Sequence, residues 1–330
     1  MTTSSLLSRY AEAIFWMARY VERAENLARI LDVHESFSRD MRGGQNWGAI
    51  VQLYADEEAF SARHDEASTE AVLEFYILDE THPGSIVQLV KAARENARSL
   101  RPLISTEMWI NLNTFYNRVR ALRPEDVAEE RIARLCGAIK ESCQSHTGIT
   151  EGTFYRDEGW YFYQLGRLLE RADQTTRLVD VKYHLLMPSP EDLGSNLDIR
   201  QWNALLRSAA GYHAFRRVHP SGMSPAKASS FLLLNPLFPR SVASCIDSMD
   251  SILNDLRALY RLRGGAGALE VLDELRAVYH DRSIESILQR GLHEHLDWTQ
   301  LRLIDVGAAV GHDFFGYETA LTEGQTQAQA

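Results

Sequence analysis

The chain has 330 residues, of which 45% are hydrophobic and 24% are charged, and its formal net charge is −10. This composition is typical of a globular protein and argues against nucleic-acid binding, which requires a basic surface. The three cysteines have no metal-ligand spacing, the start has no signal-peptide pattern and no apolar run has transmembrane length, so we expect a reduced cytoplasmic protein that does not span a membrane.

Helical periodicity dominates the chain from its start to about residue 319. The predicted helices cover about 6–38, 46–63, 68–78, 84–101, 105–121, 125–145, 151–186, 198–217, 225–234, 240–261, 267–279, 282–296 and 298–319. Segments that contain glycine or proline separate them. Since no run of alternating β-branched residues predicts a strand, we predict an all-α fold. The polar, low-complexity residues 321–330 are predicted to form a disordered tail.

The first predicted helix recurs in the middle of the chain. Residues 15–33, FWMARYVERAENLARILDV, align without a gap with residues 163–181, YQLGRLLERADQTTRLVDV. The offset is 148 residues, which takes Arg19 to Arg167. Because helix packing needs apolar side chains rather than matched charges, the repetition of Glu and Arg indicates a role that both copies share.

The repeat continues beyond that helix. A block that begins at Trp47 matches a block that begins at Trp202, at an offset of 155 residues. A block that begins at Phe75 matches one that begins at Phe231, at an offset of 156 residues. We therefore predict a single large helical bundle over 1–320, with two duplicated halves, 1–150 and 151–320, related by a pseudo-two-fold axis.

The repeated helix carries a polar arc beside its apolar arc when successive residues are placed about 100° apart. The polar arc comprises Arg19, Glu22, Arg23, Asn26 and Arg29 in the first copy and Arg167, Glu170, Arg171, Gln174 and Arg177 in the second. Glu25 and Asp32 fall on a third sector, which we expect to face solvent. We interpret the ten arc residues as candidate ligand-binding residues.

Three interpretations of this arc stay open. It is a solvated face with ion pairs between residues i and i+4, a buried structural network, or an anion-binding cavity. In both buried cases the two helices face each other, so that Glu22 meets Arg171 and Glu170 meets Arg23.

Charge favours the cavity, because six arginines against two glutamates leave a surplus of about four positive charges. Guanidinium groups bind carboxylates and phosphates with two parallel hydrogen bonds, so we expect an anionic small molecule or peptide as ligand. Carboxylates that fold in from elsewhere would reduce the surplus, and Glu12, Glu95 and Glu107 are the candidates.

Two further groups of polar residues have a structural and a functional interpretation. The segment 92–113 contributes either an interhelical network or part of the central cavity, through Arg94, Arg98, Arg101, Glu107, Trp109 and Asn113. Ser85 and Ser241 occupy matching positions, and each is expected to cap a helix rather than to bind a ligand.

Motifs for metals and nucleotides are weak. His293 and His295 are two residues apart and point to different faces of a helix, so we predict no metal site there. The chain has neither a phosphate-binding loop with its Gly-Lys-Ser/Thr ending nor a Gly-x-Gly-x-x-Gly turn. We therefore predict no bound cofactor.

Several of these motifs resemble those of the alpha-E family, a bacterial all-helical domain named after a Glu-Arg motif. The motif corresponds to Glu22-Arg23 and Glu170-Arg171. Further matching stretches are Ser8-Arg-Tyr-Ala-Glu12, Arg19-Tyr-Val-Glu-Arg-Ala-Glu-Asn26, His82-Pro-Gly-Ser-Ile86, Ala93-Arg-Glu-Asn-Ala-Arg98, Ile104-Ser-Thr-Glu-Met-Trp109, Gly166-Arg-Leu-Leu-Glu-Arg-Ala-Asp173 and Phe238-Pro-Arg-Ser-Val242.

The resemblance implies partners of two kinds, since family members are linked to circularly permuted ATP-grasp proteins and to transglutaminase-like proteases. It implies a role in peptide or amide synthesis or modification, with a separate ATP-grasp protein as partner and a transglutaminase-like protease as a second. Two functions stay open: an interaction or substrate-presenting subunit with a central Glu/Arg network, or an enzyme for an anionic acyl or amino-acid substrate with Glu22 or Glu170 as acid or base. Sealed glutamates would favour the subunit, and an open cleft that reaches either glutamate would favour the enzyme.

Overall fold

A computed structural model describes residues 6–40, 46–185 and 195–317, and every regular element within these ranges is helical. The all-α prediction is therefore confirmed. Fifteen α-helices lie within the described ranges: α1 Ser8–Asp40, α2 Gly48–Tyr54, α3 Glu57–Ser61, α4 Thr69–Ile77, α5 Ile86–Ser99, α6 Thr106–Arg120, α7 Glu129–Thr153, α8 Glu158–Leu185, α9 Asn196–Ser208, α10 Tyr212–Val218, α11 Pro225–Leu233, α12 Val242–Tyr260, α13 Ala266–Asp281, α14 Ile284–Arg290 and α15 Leu292–Val310. The predicted tail, 321–330, lies outside the described residues.

The two copies of the repeated helix, α1 and α8, pack against each other at the centre of the bundle. Their apolar arcs are buried, for example at Met17, Ala24 and Leu165. The helices α5 and α7 cover α1, while α12 and α15 cover α8. Burial on several sides explains why both helices are long although their sequences carry many charges.

Matched contacts join each half to the repeated helix of the other. The helix α9 packs on α1, and α2 packs on α8. Arg29 on α1 donates a hydrogen bond to the carbonyl oxygen of Ser208, and Arg177 on α8 donates one, at 3.1 Å, to that of Leu53. Ser208 and Leu53 differ by the offset of 155 residues found in the sequence. The contacts agree with a duplication, whereas the pseudo-two-fold axis and the domain limits stay predictions.

Two predicted helices, 46–63 and 198–217, are each interrupted in the structure. The chain turns at Ala55 and Ala210, which have φ angles of 55° and 57° and so adopt the left-handed conformation. Alanine is the strongest helix former, so local propensity gives no indication of either break. The two alanines differ by the same offset of 155 residues.

Other helix boundaries also differ from prediction. The helix α7 extends to Thr153, beyond the predicted end at 145, and α8 begins at Glu158 rather than at 151. Near the C-terminus the break falls at Gly291, whose φ of 106° suits only glycine, so that α15 starts at Leu292. A wider helical turn at Gly311–Phe315 ends this last helix.

Both serine caps are confirmed. The hydroxyl oxygens of Ser85 and Ser241 accept hydrogen bonds from backbone N–H groups in the first turns of α5 and α12. Each hydroxyl also donates to a backbone carbonyl six residues earlier, at Asp79 and Asn235 respectively. These bonds fix the loop before each cap, and one of these loops reaches the central network.

Within the described ranges, no helix combines the length and the apolar character that crossing a lipid bilayer requires.

Candidate functional site

The two predicted Glu–Arg pairs form between α1 and α8. Arg171 holds Glu22 with two hydrogen bonds, from Nε to Oε1 at 2.9 Å and from Nη2 to Oε2 at 2.8 Å. Arg23 holds Glu170 in the same way, from Nε at 2.5 Å and from Nη2 at 2.9 Å. Both glutamate side chains are buried, with exposed fractions of 2% and 0%. The solvated-face interpretation of these pairs is therefore wrong.

A third arginine, which sequence analysis did not place in the network, completes the bonds of Glu22. Arg240, in the loop before α12, donates to Glu22 Oε1 at 2.9 Å and to Glu25 Oε1 at 2.6 Å. On the other side, Arg19 donates to Glu170 Oε2 at 2.9 Å. Each central glutamate is therefore bonded to two arginines.

Three further carboxylates reduce the predicted arginine surplus, to which Arg240 adds one positive charge. Glu25 is buried and pairs with Arg29 at 2.5 Å, so its predicted exposure to solvent is wrong. Its counterpart Asp173 pairs with Arg177 at 2.9 Å. Neighbouring helices cover α1 and α8 on several sides, so the sector that the sequence analysis assigned to solvent is not fully exposed.

The remaining acids also differ from expectation. Glu151 lies 3.6 Å from Arg167, and Asp32 pairs with Lys140 at 2.7 Å. Two of the expected donors of negative charge are engaged elsewhere, since Glu12 accepts from Tyr317 and Glu95 pairs with Arg94. The third, Glu107, lines a separate cavity. The contributing acids come from the central helices themselves and from the end of α7.

Electrostatics keep the two central glutamates ionised. Burial alone would raise their pKa, but the adjacent arginines outweigh it. The pKa of Glu22 falls well below its usual range through Arg171 and Arg240, and that of Glu170 falls to about 2 through Arg23 and Arg19. Such groups hold no proton at neutral pH and are sealed from solvent, so neither is suited to act as a general acid or base.

Acid is expected to weaken the fold through these carboxylates. A depressed pKa in the folded state stabilises the protein above the usual value of 4.5, and this contribution is lost as the pH falls towards 2. We expect the thermal midpoint to drop steeply across this window. The variant Glu170→Gln should be less stable at pH 7 and should show a shallower acid dependence, and equal slopes for both proteins would contradict this origin.

An open cleft lies beside the Arg23–Glu170 pair. Its volume is about 260 Å³. Its lining comprises Arg23, Leu27, Tyr54, Asp56, Tyr76, His82, Pro83, Gly84, Asp173, Gln174 and Arg177. Three of the predicted ligand-binding residues, Arg23, Gln174 and Arg177, therefore face one cavity.

Acid and base groups of the first half face the same cleft. The Tyr76 hydroxyl donates to Asp56 Oδ2 at 2.9 Å, and the Tyr54 hydroxyl donates to Gln174 at 3.2 Å. His82 Nε2 lies 3.6 Å from Asp56 Oδ2, beyond hydrogen-bond distance. Burial raises the pKa of Asp56 and lowers that of His82, which favours their uncharged forms.

Two nitrogen atoms of the residues that line this cleft lack a hydrogen bond within the described part of the chain. Among the described residues, Nε2 of His82 has no hydrogen-bond partner, although the residue is only 4% exposed. Arg23 uses Nε and Nη2 for Glu170, which leaves its Nη1 without a hydrogen bond in the described part of the chain. The Arg23 side chain is 31% exposed. Sequence analysis did not identify Asp56 or His82 as site residues. The two residues are 26 positions apart, and only the path of the loop after α4 brings His82 close to Asp56.

The segment 92–113 forms an interhelical network, as the structural interpretation predicted. Arg94 donates to Asn113 at 2.8 Å and pairs with Glu95. Arg94 and Arg101 each lie over the ring of Trp109, at 5.5 and 4.9 Å. These contacts join α5 to α6 and use the polar groups away from the central cavity.

The two C-terminal histidines point in different directions, as their spacing predicted. His295 packs against Tyr279 with ring centroids 5.3 Å apart. His293 bonds Asp180 at 3.0 Å and lies 3.4 Å from Asp297. The ligand atoms of His293, Asp180 and Asp297 lie within 4.8 Å of one another, so they could hold a cation that histidine spacing alone did not indicate. The carboxylates face opposite ring nitrogens, an arrangement that also suits a hydrogen-bonded ion triad.

The Glu-Arg motif also appears in the comparisons with known proteins. The chain is 25% identical, over 316 residues, to uncharacterized proteins of Mycobacterium bovis and Mycobacterium tuberculosis. The alignment covers 87% of this chain and 34% of each relative, so the chain spans about a third of their length. No solved structure matches the chain. Residues 6–315 match the family described as a predicted alpha-helical domain with a conserved ER motif, and the chain therefore belongs to the Alpha-E family.

Proposed function

We propose that this chain is a substrate-presenting subunit of an ATP-grasp-linked system for peptide or amide synthesis or modification. The cleft beside Arg23 holds the carboxylate of the substrate, and a separate ATP-grasp protein performs the chemistry. The observation that carries the proposal is the accessible side of Arg23. Its side chain is 31% exposed and its Nη1 has no hydrogen bond among the described residues, while the side chain of its partner Glu170 is fully buried.

The geometry supports binding more than acid–base catalysis by the central glutamates. A general acid or base must reach the substrate and change its protonation state near neutral pH. Glu22 and Glu170 are enclosed by arginines and stay ionised. The cleft instead offers Arg23 and Arg177, whose guanidinium groups suit a carboxylate or a phosphate.

Anion binding to the cleft is expected to depend on the planar fork of Arg23. We expect phosphate, acetyl phosphate, glutamate or a short acidic peptide to bind with millimolar or tighter affinity in a calorimetric titration. The variant Arg23→Lys keeps a positive charge beside Glu170 but loses the fork, and it should bind about tenfold or more weakly.

Arg171→Lys provides the matched control. Arg171 occupies the equivalent position in the second half, where it makes the same two bonds to Glu22. It does not line the cleft. Arg171→Lys should lose at least as much stability as Arg23→Lys, because Arg171 is more deeply buried, but only Arg23→Lys should lose affinity. Equal affinities in the two variants, or no binding of any anion to the wild-type protein, would refute the site.

The partner is tested separately from the ligand. An ATP-grasp protein from the same genome, purified together with this chain, should form a complex that elutes as one species in gel filtration. Because ATP-grasp chemistry consumes ATP, the proposal places the complex in the cytoplasm. A transglutaminase-like protease from the same genome is the second partner to test, and failure of both to associate would leave the presenting role without support.

A further inference from the structure

The two halves differ at the positions that line the cleft of the first half. At the offsets of 155 and 156 residues, four residues that line the cleft correspond to residues of different chemical character in the second half. The pairs are Asp56 with Gly211, Tyr76 with Leu232, His82 with Phe238, and Gly84 with Arg240. The backbone is alike at these places, since Ser85 and Ser241 make the same cap bonds.

In the second half, apolar rings fill the equivalent space. Phe238 stacks on Phe231 with ring centroids 4.6 Å apart, where the first half stacks His82 on Phe75 at 4.1 Å. A Cβ atom at Gly211 would lie 2.9 Å from the Phe238 ring, so a side chain there would have to displace this ring. Asp56, Tyr76 and His82 of the cleft therefore have no polar counterparts in the second half.

In the second half, the loop before α12 carries a guanidinium group, that of Arg240. Its guanidinium bonds Glu22 and Glu25 of α1. The counterparts of these acids on α8 are Glu170 and Asp173. The counterpart of Arg240 in the first half is Gly84, which has no side chain and lines the cleft together with Asp173. The first half therefore leaves open the place that a guanidinium occupies in the second.

We propose that this open place binds a cationic nitrogen group of the ligand, an ammonium or a guanidinium, beside Asp173 and in the position that corresponds to the Arg240 guanidinium. The inference rests on the proposed function, which assigns the ligand's carboxylate to Arg23. The ligand class is therefore an amino acid or a peptide that carries both a carboxylate and a free cationic nitrogen.

The acceptors around Gly84 suit such a donor. Asp173 and Asp56 line the cleft with side chains that are 14% and 23% exposed. A Cβ atom at Gly84 would lie 2.7 Å from His82 Nε2, so this nitrogen points into the open place. It is buried and lacks a partner among the described residues, and a neutral imidazole accepts a hydrogen bond at one ring nitrogen. The cationic group donates to these three acceptors.

Calorimetric titration of the wild-type chain with four probes tests the inference. Glutamate carries both groups. N-acetylglutamate keeps the carboxylates and lacks the ammonium, N-acetylarginine keeps a carboxylate and a guanidinium, and agmatine has cationic groups without a carboxylate. We expect N-acetylglutamate to bind at least tenfold more weakly than the tighter of glutamate and N-acetylarginine, and that tighter probe identifies the cation.

The outcomes separate the two proposals. Equal affinity for N-acetylglutamate and glutamate, with N-acetylarginine no tighter, overturns the cation position and leaves the carboxylate site intact. Binding of agmatine as tight as that of the zwitterions supports the cation position and overturns the carboxylate site. Failure of all four probes to bind overturns both.

Rewriting the loop of the first half gives an independent test. The double variant His82→Phe with Gly84→Arg installs the Phe-Pro-Arg sequence of the second half and removes the imidazole that would meet the new side chain. Its arginine should occupy the open place, so glutamate binding should fall at least tenfold while the protein stays folded by circular dichroism. A folded variant with wild-type affinity overturns the inference, and the probes on wild type decide if the variant does not fold.

Discussion

Replacing Glu22 with alanine is expected to lower the free energy of unfolding by about 3–5 kcal/mol, because the change leaves two buried guanidinium groups without a carboxylate. Arg171 and Arg240 both bond this glutamate, and their side chains are mostly buried. Water cannot solvate the freed charges as it does at a surface. Urea-induced unfolding followed by circular dichroism measures the change.

Two other carboxylates serve as graded controls. Glu170→Ala should cost less than Glu22→Ala, because its partner Arg23 is already partly exposed and can gain water. Glu151→Ala should cost less than about 1 kcal/mol, since this side chain is 37% exposed and lies 3.6 Å from Arg167. The ranking depends on burial, so a Glu22→Ala protein no less stable than Glu151→Ala would refute a sealed network.

Sequence comparison within the chain predicted the centre of the fold. The gap-free alignment of 15–33 with 163–181 gave both Glu–Arg pairs, because matched charges beside matched apolar arcs must meet if the helices face each other. Hydrophobic periodicity predicted the all-α class, because each long helix repeats an apolar stripe at helical spacing. Both predictions depend on patterns that run over several turns of helix.

Features that depend on a third element could not be predicted in this way. The bond from Arg240 to Glu22 joins residues 218 positions apart through a loop whose path the helical arc does not describe. The matched sequences His82-Pro-Gly84 and Phe238-Pro-Arg240 differ at their last residue, and this difference was the indication in the sequence that Arg240 has a role of its own. Because the sequence does not show that this loop approaches α1, the difference did not reveal which carboxylates Arg240 would bond.

The arc also assigned Glu25 to solvent, although the structure buries it. A helical projection assumes one wet side, whereas α1 is covered by α5, α7, α8 and α9. Packing therefore leaves some of the predicted ligand-binding residues at the cleft and encloses others. Arg23 and Arg177 line the cleft, while Arg29 is enclosed with Glu25 and Ser208.

The crossing of α1 and α8 depends on Gly166, which faces the backbone of the opposite helix. A Cβ atom there would overlap the carbonyl oxygen of Phe15 and come within 3.0 Å of its carbonyl carbon. A side chain can rotate away from such a contact, but a helix backbone can yield only by moving the helix. The two Glu–Arg pairs lie on the same interface and would be stretched by that movement.

Gly166→Ala is therefore expected to destabilise the fold by about 3 kcal/mol, at the upper end of the usual cost of overpacking, although alanine is a better helix former than glycine. Gly148→Ala in α7 is the matched control, because no atom lies within 4 Å of a Cβ built there, and it should stabilise by about 0.5–1 kcal/mol. Thermal and urea unfolding of both variants measure the difference. If Gly166→Ala were as stable as Gly148→Ala, the helices could not cross as closely as the structure shows, and the bidentate geometry of both Glu–Arg pairs would lose its support.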